Sequence, residues 1–225
     1  MARFSEQEKQ QWEDKFRQKI IELDFGNDPA HDLAHFLRVS KTAKRLCSEE
    51  SALWEVVIPA AWLHDFVNVP KNDPKRSQAS RLSAIEALKY LRGIDYPEEF
   101  LKGVQHAIEA HSFSAQIEPT TLEAKIVQDA DRLDGLGAIG LARCFCVAGL
   151  LHRQIYESED PFGVSRKLDD LAYTIDHFYV KLFKVAETLQ TKAGRAEGIR
   201  RVEFMRSYLK ELGHEIGVPA PANSR

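Results

Sequence analysis

The stretch Val56-Val57-Ile58-Pro59-Ala60-Ala61-Trp62-Leu63-His64-Asp65 decides how this chain is read. An apolar run ends in an adjacent imidazole and carboxylate. Two proton-transferring or metal-capable groups therefore stand at the edge of a core, where polar groups are costly without partners. Trp54, Val57, Ala61 and His64 recur at helical spacing, so the histidine extends a core stripe. Pro59 removes one helical hydrogen bond, which requires the helix to start close to it or to bend. A His-Asp pair alone is most often a helix-end hydrogen bond, and it becomes a site only if distant residues supply partners. His35, His111 and the Asp129/Asp131 pair are the candidates.

On the N-terminal side, Asp28-Pro29 reads as a cap followed by proline at the first helical position. A helix is expected from near Pro29 through Leu33, Leu37, Ala43 and Leu46, with His31 and His35 one turn apart near its start. Before it, Ser5 and Glu8 form a capping box ahead of the stripe Trp12, Phe16, Ile20 and Leu23, and Gly26-Asn27 ends that first helix. On the C-terminal side, 68–77 is a polar loop that carries Lys71 and Arg76. Further helices are expected at 77–91, from Asp95-Tyr96-Pro97-Glu98 to His111, and at 122–133, 138–152, 168–190 and 195–212. Tyr156 to Lys167 reads as a long loop. Gly135, Gly137 and Gly140 lack dinucleotide-loop spacing after a strand, which leaves close helix packing as their expected reason. With no alternating strands or hairpin turn pairs, the fold class is all-α.

The chain of 225 residues is 44% hydrophobic, enough to fill a sizeable core. Its formal charge of −3, from 31 basic and 34 acidic residues, gives no net attraction to nucleic acid or to an anionic membrane, and neither partner is expected. Cys47, Cys144 and Cys146 are too few for a disulfide framework, and Cys144-x-Cys146 lacks the second pair of a thiolate zinc site. No apolar run reaches the roughly 18 residues that span a bilayer, and the N-terminus has no signal-like segment. A cytoplasmic protein, monomer or homodimer, is the expectation.

Imidazoles and carboxylates together suit a divalent Mn, Mg, Fe, Co, Ni or Zn ion rather than a soft, thiolate-seeking one. Such groups on separate helices can converge in a bundle core. The bound ion lowers the pKa of water, polarises a phosphoryl oxygen and offsets its charge, all of which suit phosphate-ester hydrolysis. His106 and His111 are about 140° apart around a helix, so both cannot face one ion unless the helix ends between them, and His111 is the better candidate.

The order His35, His64-Asp65, Asp131 resembles the HD superfamily of metal-dependent phosphohydrolases, whose pattern is H…HD…D on a helical bundle. The matching stretches are His31-Asp32-Leu33-Ala34-His35-Phe36-Leu37-Arg38-Val39, Ala61-Trp62-Leu63-His64-Asp65 and Asp129-Ala130-Asp131-Arg132-Leu133-Asp134. From His106 to Leu141 the chain is similar to a bacterial subgroup of predicted HD hydrolases. The resemblance implies a single-domain helical bundle of the HD type. In it, an N-terminal helix over 1–27 packs on an HD core over 28–150, helices over 151–213 complete the same domain, and 214–225 is a flexible tail.

The resemblance further implies that His35, His64, Asp65 and Asp131 ligate one divalent ion. Asp131 is preferred because the family's ligand precedes a basic residue, here Arg132; Asp129 is the alternative ligand or an acceptor that orients a histidine. Asp65 is also expected as the proton acceptor, and His111 as a catalytic group near the metal. Lys71 and Arg76 are expected to bind the substrate's phosphates. The implied activity is hydrolysis of a phosphate ester or phosphoanhydride in a small phosphorylated substrate, a nucleotide above all. Two other readings stand beside it. One is a non-catalytic metal or nucleotide sensor; the other is a zinc protease that uses His31 and His35, since His31-Asp32-Leu33-Ala34-His35 is similar to H-E-x-x-H.

Overall fold

The computed structural model describes residues 4–23, 32–67, 69, 73 and 76–221. They are all-α, and the only extended pairing among them is an isolated bridge between Gln154 and Tyr173. No single helix among them is long and apolar enough to cross a membrane. The chain divides into two compact units, Met1–Asp131 with Gln190–Gly194, and Arg132–Leu189 with Arg195–Arg225.

The first unit is organised around α3, Trp54–Leu63, in which every residue from Glu55 onward is buried. Helices α1 (Glu6–Leu23), α2 (Leu33–Glu49) and α5 (Glu98–His111) pack on it, and α4 (Ala79–Gly93) packs on α5. The α1 capping box forms as expected: the Ser5 amide donates to Glu8 Oε2 at 2.7 Å, and the Glu8 amide donates back to Ser5 Oγ at 3.3 Å. Pro59 does lie inside α3. With no N–H, it leaves the Glu55 carbonyl without its helical donor, and the buried Tyr96 hydroxyl donates to that carbonyl at 2.8 Å. Tyr96 is in turn clamped by Trp12 and Phe16 of α1, with ring centroids 4.8 and 5.9 Å away. An aromatic cluster thus repairs the helix that delivers His64 and Asp65.

Helix α2 starts later than expected. Asp32 is its N-cap and accepts from the His35 amide at 2.8 Å, so the first helical residue is Leu33. The expected opening at Asp28-Pro29, and His31, lie outside the described residues. Helix α6 runs from Leu122 to Asp134, and its residues through Asp131 belong to the first unit.

In the second unit, α7 (Gly137–Leu150) opens on Gly137 at φ +71°, a conformation that disfavours a side chain. A Cβ on Gly140 would collide with the backbone of Gly135 in the turn that leads into α7, so the close approach is to that turn rather than the helix packing expected of these glycines. The helix expected over 168–190 instead begins at Thr174. It runs as α8 (Thr174–His177), a π-helical turn (Phe178–Leu182) and α9 (Phe183–Glu187). The preceding residues are held otherwise. The Gln154 amide donates to the Ala172 carbonyl at 3.0 Å, the Thr174 amide to the Gln154 carbonyl at 2.9 Å, and the Asp169 amide to the Asp176 carboxylate at 2.6 Å. Arg166 grips the buried Asp176 with both terminal nitrogens, at 2.6 and 2.7 Å. Helix α10 is Lys192–Glu215.

Candidate metal centre

Five side chains of the first unit converge. His35 comes from the first turn of α2, His64 and Asp65 from the end of α3, His111 from the last residue of α5, and Asp131 from α6. Two triads of possible ligand atoms, His35–His64–Asp131 and His64–Asp65–His111, share His64, and within each triad the atoms lie within 4.8 Å of one another. Nε2 of His35 is 3.2 Å from Nε2 of His64. Asp131 Oδ1 stands 3.7 Å from His35 Nε2 and 3.8 Å from His64 Nε2. Asp65 Oδ2 is 3.7 Å from His64 Nε2, and its Oδ1 is 3.4 Å from His111 Nε2.

The same local device aims two of the imidazoles. His64 Nδ1 lies 2.9 Å from the Ala61 carbonyl, and His111 Nδ1 lies 2.6 Å from the Ile108 carbonyl, three residues back in each case. A carbonyl only accepts, so each Nδ1 carries the proton and donates it. Helix ends leave such carbonyls without an amide partner, which makes them available for this task. Burial drives the His64 pKa down to about 4, so the ring is neutral at neutral pH and its Nε2 offers a lone pair. For His111, burial opposes charging, but the hydrogen bond and charge of Asp65 outweigh it, and the pKa moves up. Helices α3 and α5 both end at the cluster, where their dipoles favour positive charge. Imidazole nitrogens and carboxylate oxygens meeting at two helix C-termini fit a divalent cation.

A family model for the HD domain matches residues 32–136, which include all five of these groups. YpgQ of Bacillus subtilis strain 168 is 32% identical over 190 residues, covering 83% of this chain and 84% of its own length. This chain belongs to the HD superfamily. Among solved structures, an HD-superfamily hydrolase from Bacillus thuringiensis shares 28% identity at a TM-score of 0.72, over 92% of this chain and 97% of its own. B. subtilis YpgQ in complex with ADP is similar at 29% identity and a TM-score of 0.72, over 92% of this chain and 96% of its own.

Within this HD domain the structure separates the two aspartates of Asp129-Ala130-Asp131. Asp131 faces the histidines. Asp129 is fully buried and serves the chain entering α10: its carboxylate accepts from the Gln190 amide at 2.9 and 3.1 Å, the Thr191 amide at 2.8 Å and the Thr191 hydroxyl at 2.7 Å. Those four contacts give its buried charge a structural task. Gly194 belongs to the same arrangement, because a Cβ there would collide with the Asp129 carboxylate. His106 stays out of the cluster, its Nε2 facing the amide and hydroxyl of Thr120, each at 3.0 Å. Lys71 and the Arg76 side chain lie outside the described residues, while the Arg76 backbone opens the 3₁₀ turn Arg76–Gln78.

The protease-like reading of His31 to His35 needs Asp32 in the place of a general base, but Asp32 is the cap of α2. Sequence reading missed that cap, although an aspartate three residues before His35 is its usual signature. Gln190 and Thr191, about sixty residues from Asp129, gave no local signal at all.

Proposed function

We propose that this chain is a metal-dependent phosphohydrolase that cleaves a phosphate ester or phosphoanhydride bond of a nucleotide. The observation that carries the proposal is the convergence of His35, His64, Asp65, His111 and Asp131 from four helices, with the His35 and His64 Nε2 atoms 3.2 Å apart. The ADP complex of the similar YpgQ supports a nucleotide as the substrate class.

In this reading His35, His64, Asp65 and Asp131 hold the ion, which when bound supplies a Lewis acid for the phosphoryl group and acidifies water. The three histidines are almost fully buried, whereas the Asp131 side chain is 30% exposed, so substrate enters on the carboxylate side. Asp65 accepts the proton of the attacking water. His111, with Nδ1 anchored on Ile108 and Nε2 toward Asp65, holds a proton beside the phosphate and counters its charge. Lys71 and Arg76, on the segment that follows the His-Asp pair, neutralise the remaining phosphates.

The test is mass spectrometry of a nucleotide panel incubated with the protein, with and without EDTA, and with His64→Ala. Hydrolysis should require a divalent ion, stop in EDTA, return when the ion is restored, and be lost in His64→Ala. Full hydrolysis by metal-free protein would refute the proposal. A panel returned unchanged by metal-loaded protein would make the chain a sensor instead.

A further inference from the structure

Phe113 is 78% exposed, more than any other large apolar side chain among the described residues. A ring left in water contributes little to folding and keeps its face available to a ligand. It stands two residues beyond His111, and two Cα–Cα steps keep the two Cα atoms within about 7.6 Å of each other. Residues Phe113–Ala115 form a 3₁₀ turn, closed by the Gln116 amide donating to the Phe113 carbonyl at 3.4 Å, with Gln116 itself in the left-handed region at φ +51°. The turn packs on α4, on α5 and on the Arg76–Gln78 turn, and Ser80 Oγ ties α4 to the Glu109 carbonyl of α5 at 2.9 Å. An open aromatic face and the residue that ends α5 at the His–Asp centre are therefore close neighbours along one well-packed turn. The two match the two ends of a nucleoside phosphate, the base and the phosphate whose bond is to be cut.

We propose that Phe113 is the platform on which the base of a nucleoside phosphate stacks while its phosphates lie at the His35–His64–Asp65–Asp131 centre. Every base offers a π face, so the platform secures nucleosides over free phosphates without choosing strongly among bases. The inference rests on the nucleotide reading above and adds the group that recognises the nucleoside.

The experiment is calorimetric titration of the full-length protein, supplied with Mn²⁺, with ADP and separately with inorganic tripolyphosphate, which has no base. Phe113→Ala, whose fold is checked by circular dichroism, should weaken ADP binding by roughly 5- to 150-fold, the range expected for loss of one base–aromatic stack. Tripolyphosphate binding should stay unchanged. Phe113→Trp should restore ADP binding and report it by fluorescence quenching. Equal ADP affinity in wild type and Phe113→Ala overturns the inference and leaves the nucleotide reading standing. Equal losses for ADP and tripolyphosphate also overturn it, since the ring would then support the phosphate site. If wild type binds tripolyphosphate but no ADP, the nucleotide reading itself falls, and the platform with it.

Discussion

Replacing Asp129 and Asp131 separately by asparagine should break two different properties. At Asp129 a fully buried carboxylate accepts from two backbone amides and a hydroxyl over distances of 2.7–3.1 Å. Asparagine turns one acceptor oxygen into a donor, so at least one of these groups faces a donor instead. Losing one charge-assisted hydrogen bond costs about 1.5–3 kcal/mol, and the opposed donors add to it, giving about 2–4 kcal/mol in all. The ion site, whose converging groups do not include Asp129, should keep its metal. Asp131→Asn is the converse. Its side chain is 30% exposed and 3.7–3.8 Å from the two histidine nitrogens, so stability without metal should change by no more than about 0.5 kcal/mol. Metal affinity should fall by at least the roughly 10–100-fold seen for changes around metal ligands. Urea denaturation in EDTA measures the first property, and elemental analysis of desalted, metal-loaded protein measures the second. Wild-type metal content in Asp131→Asn, together with metal loss from a folded Asp129→Asn, would refute the division of roles.

Tyr96→Phe removes the donor to the Glu55 carbonyl and should cost about 1–3 kcal/mol in urea denaturation, part of which Pro59→Ala should recover by restoring an N–H to α3. Asp176→Ala leaves Arg166 without its bidentate partner in the second unit and should cost about 3–5 kcal/mol, read as a drop in unfolding midpoint. Asp160 gives a pH signature. The Ser165 amide, joined by those of Val164 and Arg166, holds its carboxyl at about 2, below the usual carboxylate range. A depressed folded pKa contributes stability that is present above the unfolded value, near 4, and is lost as pH falls toward 2. The difference in denaturation midpoint between wild type and Asp160→Asn should therefore be constant above about pH 5 and shrink across that window; a difference independent of pH would contradict the hydrogen-bonding cause.

The all-α architecture was legible because helical periodicity, caps and prolines are local. Ser5 and Glu8 cap α1, and the stripe from Trp54 to His64 is one buried helix. The His35, His64-Asp65, Asp131 set was legible as a pattern of residue types at plausible spacing. Where reading failed, the cause was mostly non-local. Residues 168–173 carry helix-compatible side chains, yet the Ala172 carbonyl is taken by the Gln154 amide and the Asp169 amide by the Asp176 carboxylate. Asp32 was the exception, a local cap hidden by the more conspicuous Asp28-Pro29.

By itself, then, the sequence determined the helical class and the chemistry available at the end of α3. The family pattern favoured Asp131 over Asp129, two residues away, but tertiary structure supplied the reason, bringing Asp131 within 3.7–3.8 Å of the histidine nitrogens and giving Asp129 another task. On α6 those side chains point about 160° apart around the axis, and only the chain arriving at Gln190 and Thr191 determines which direction is the structural one. It also decided how a helix broken by Pro59 is made whole, since the missing donor comes from Tyr96, a partner that no local rule identifies.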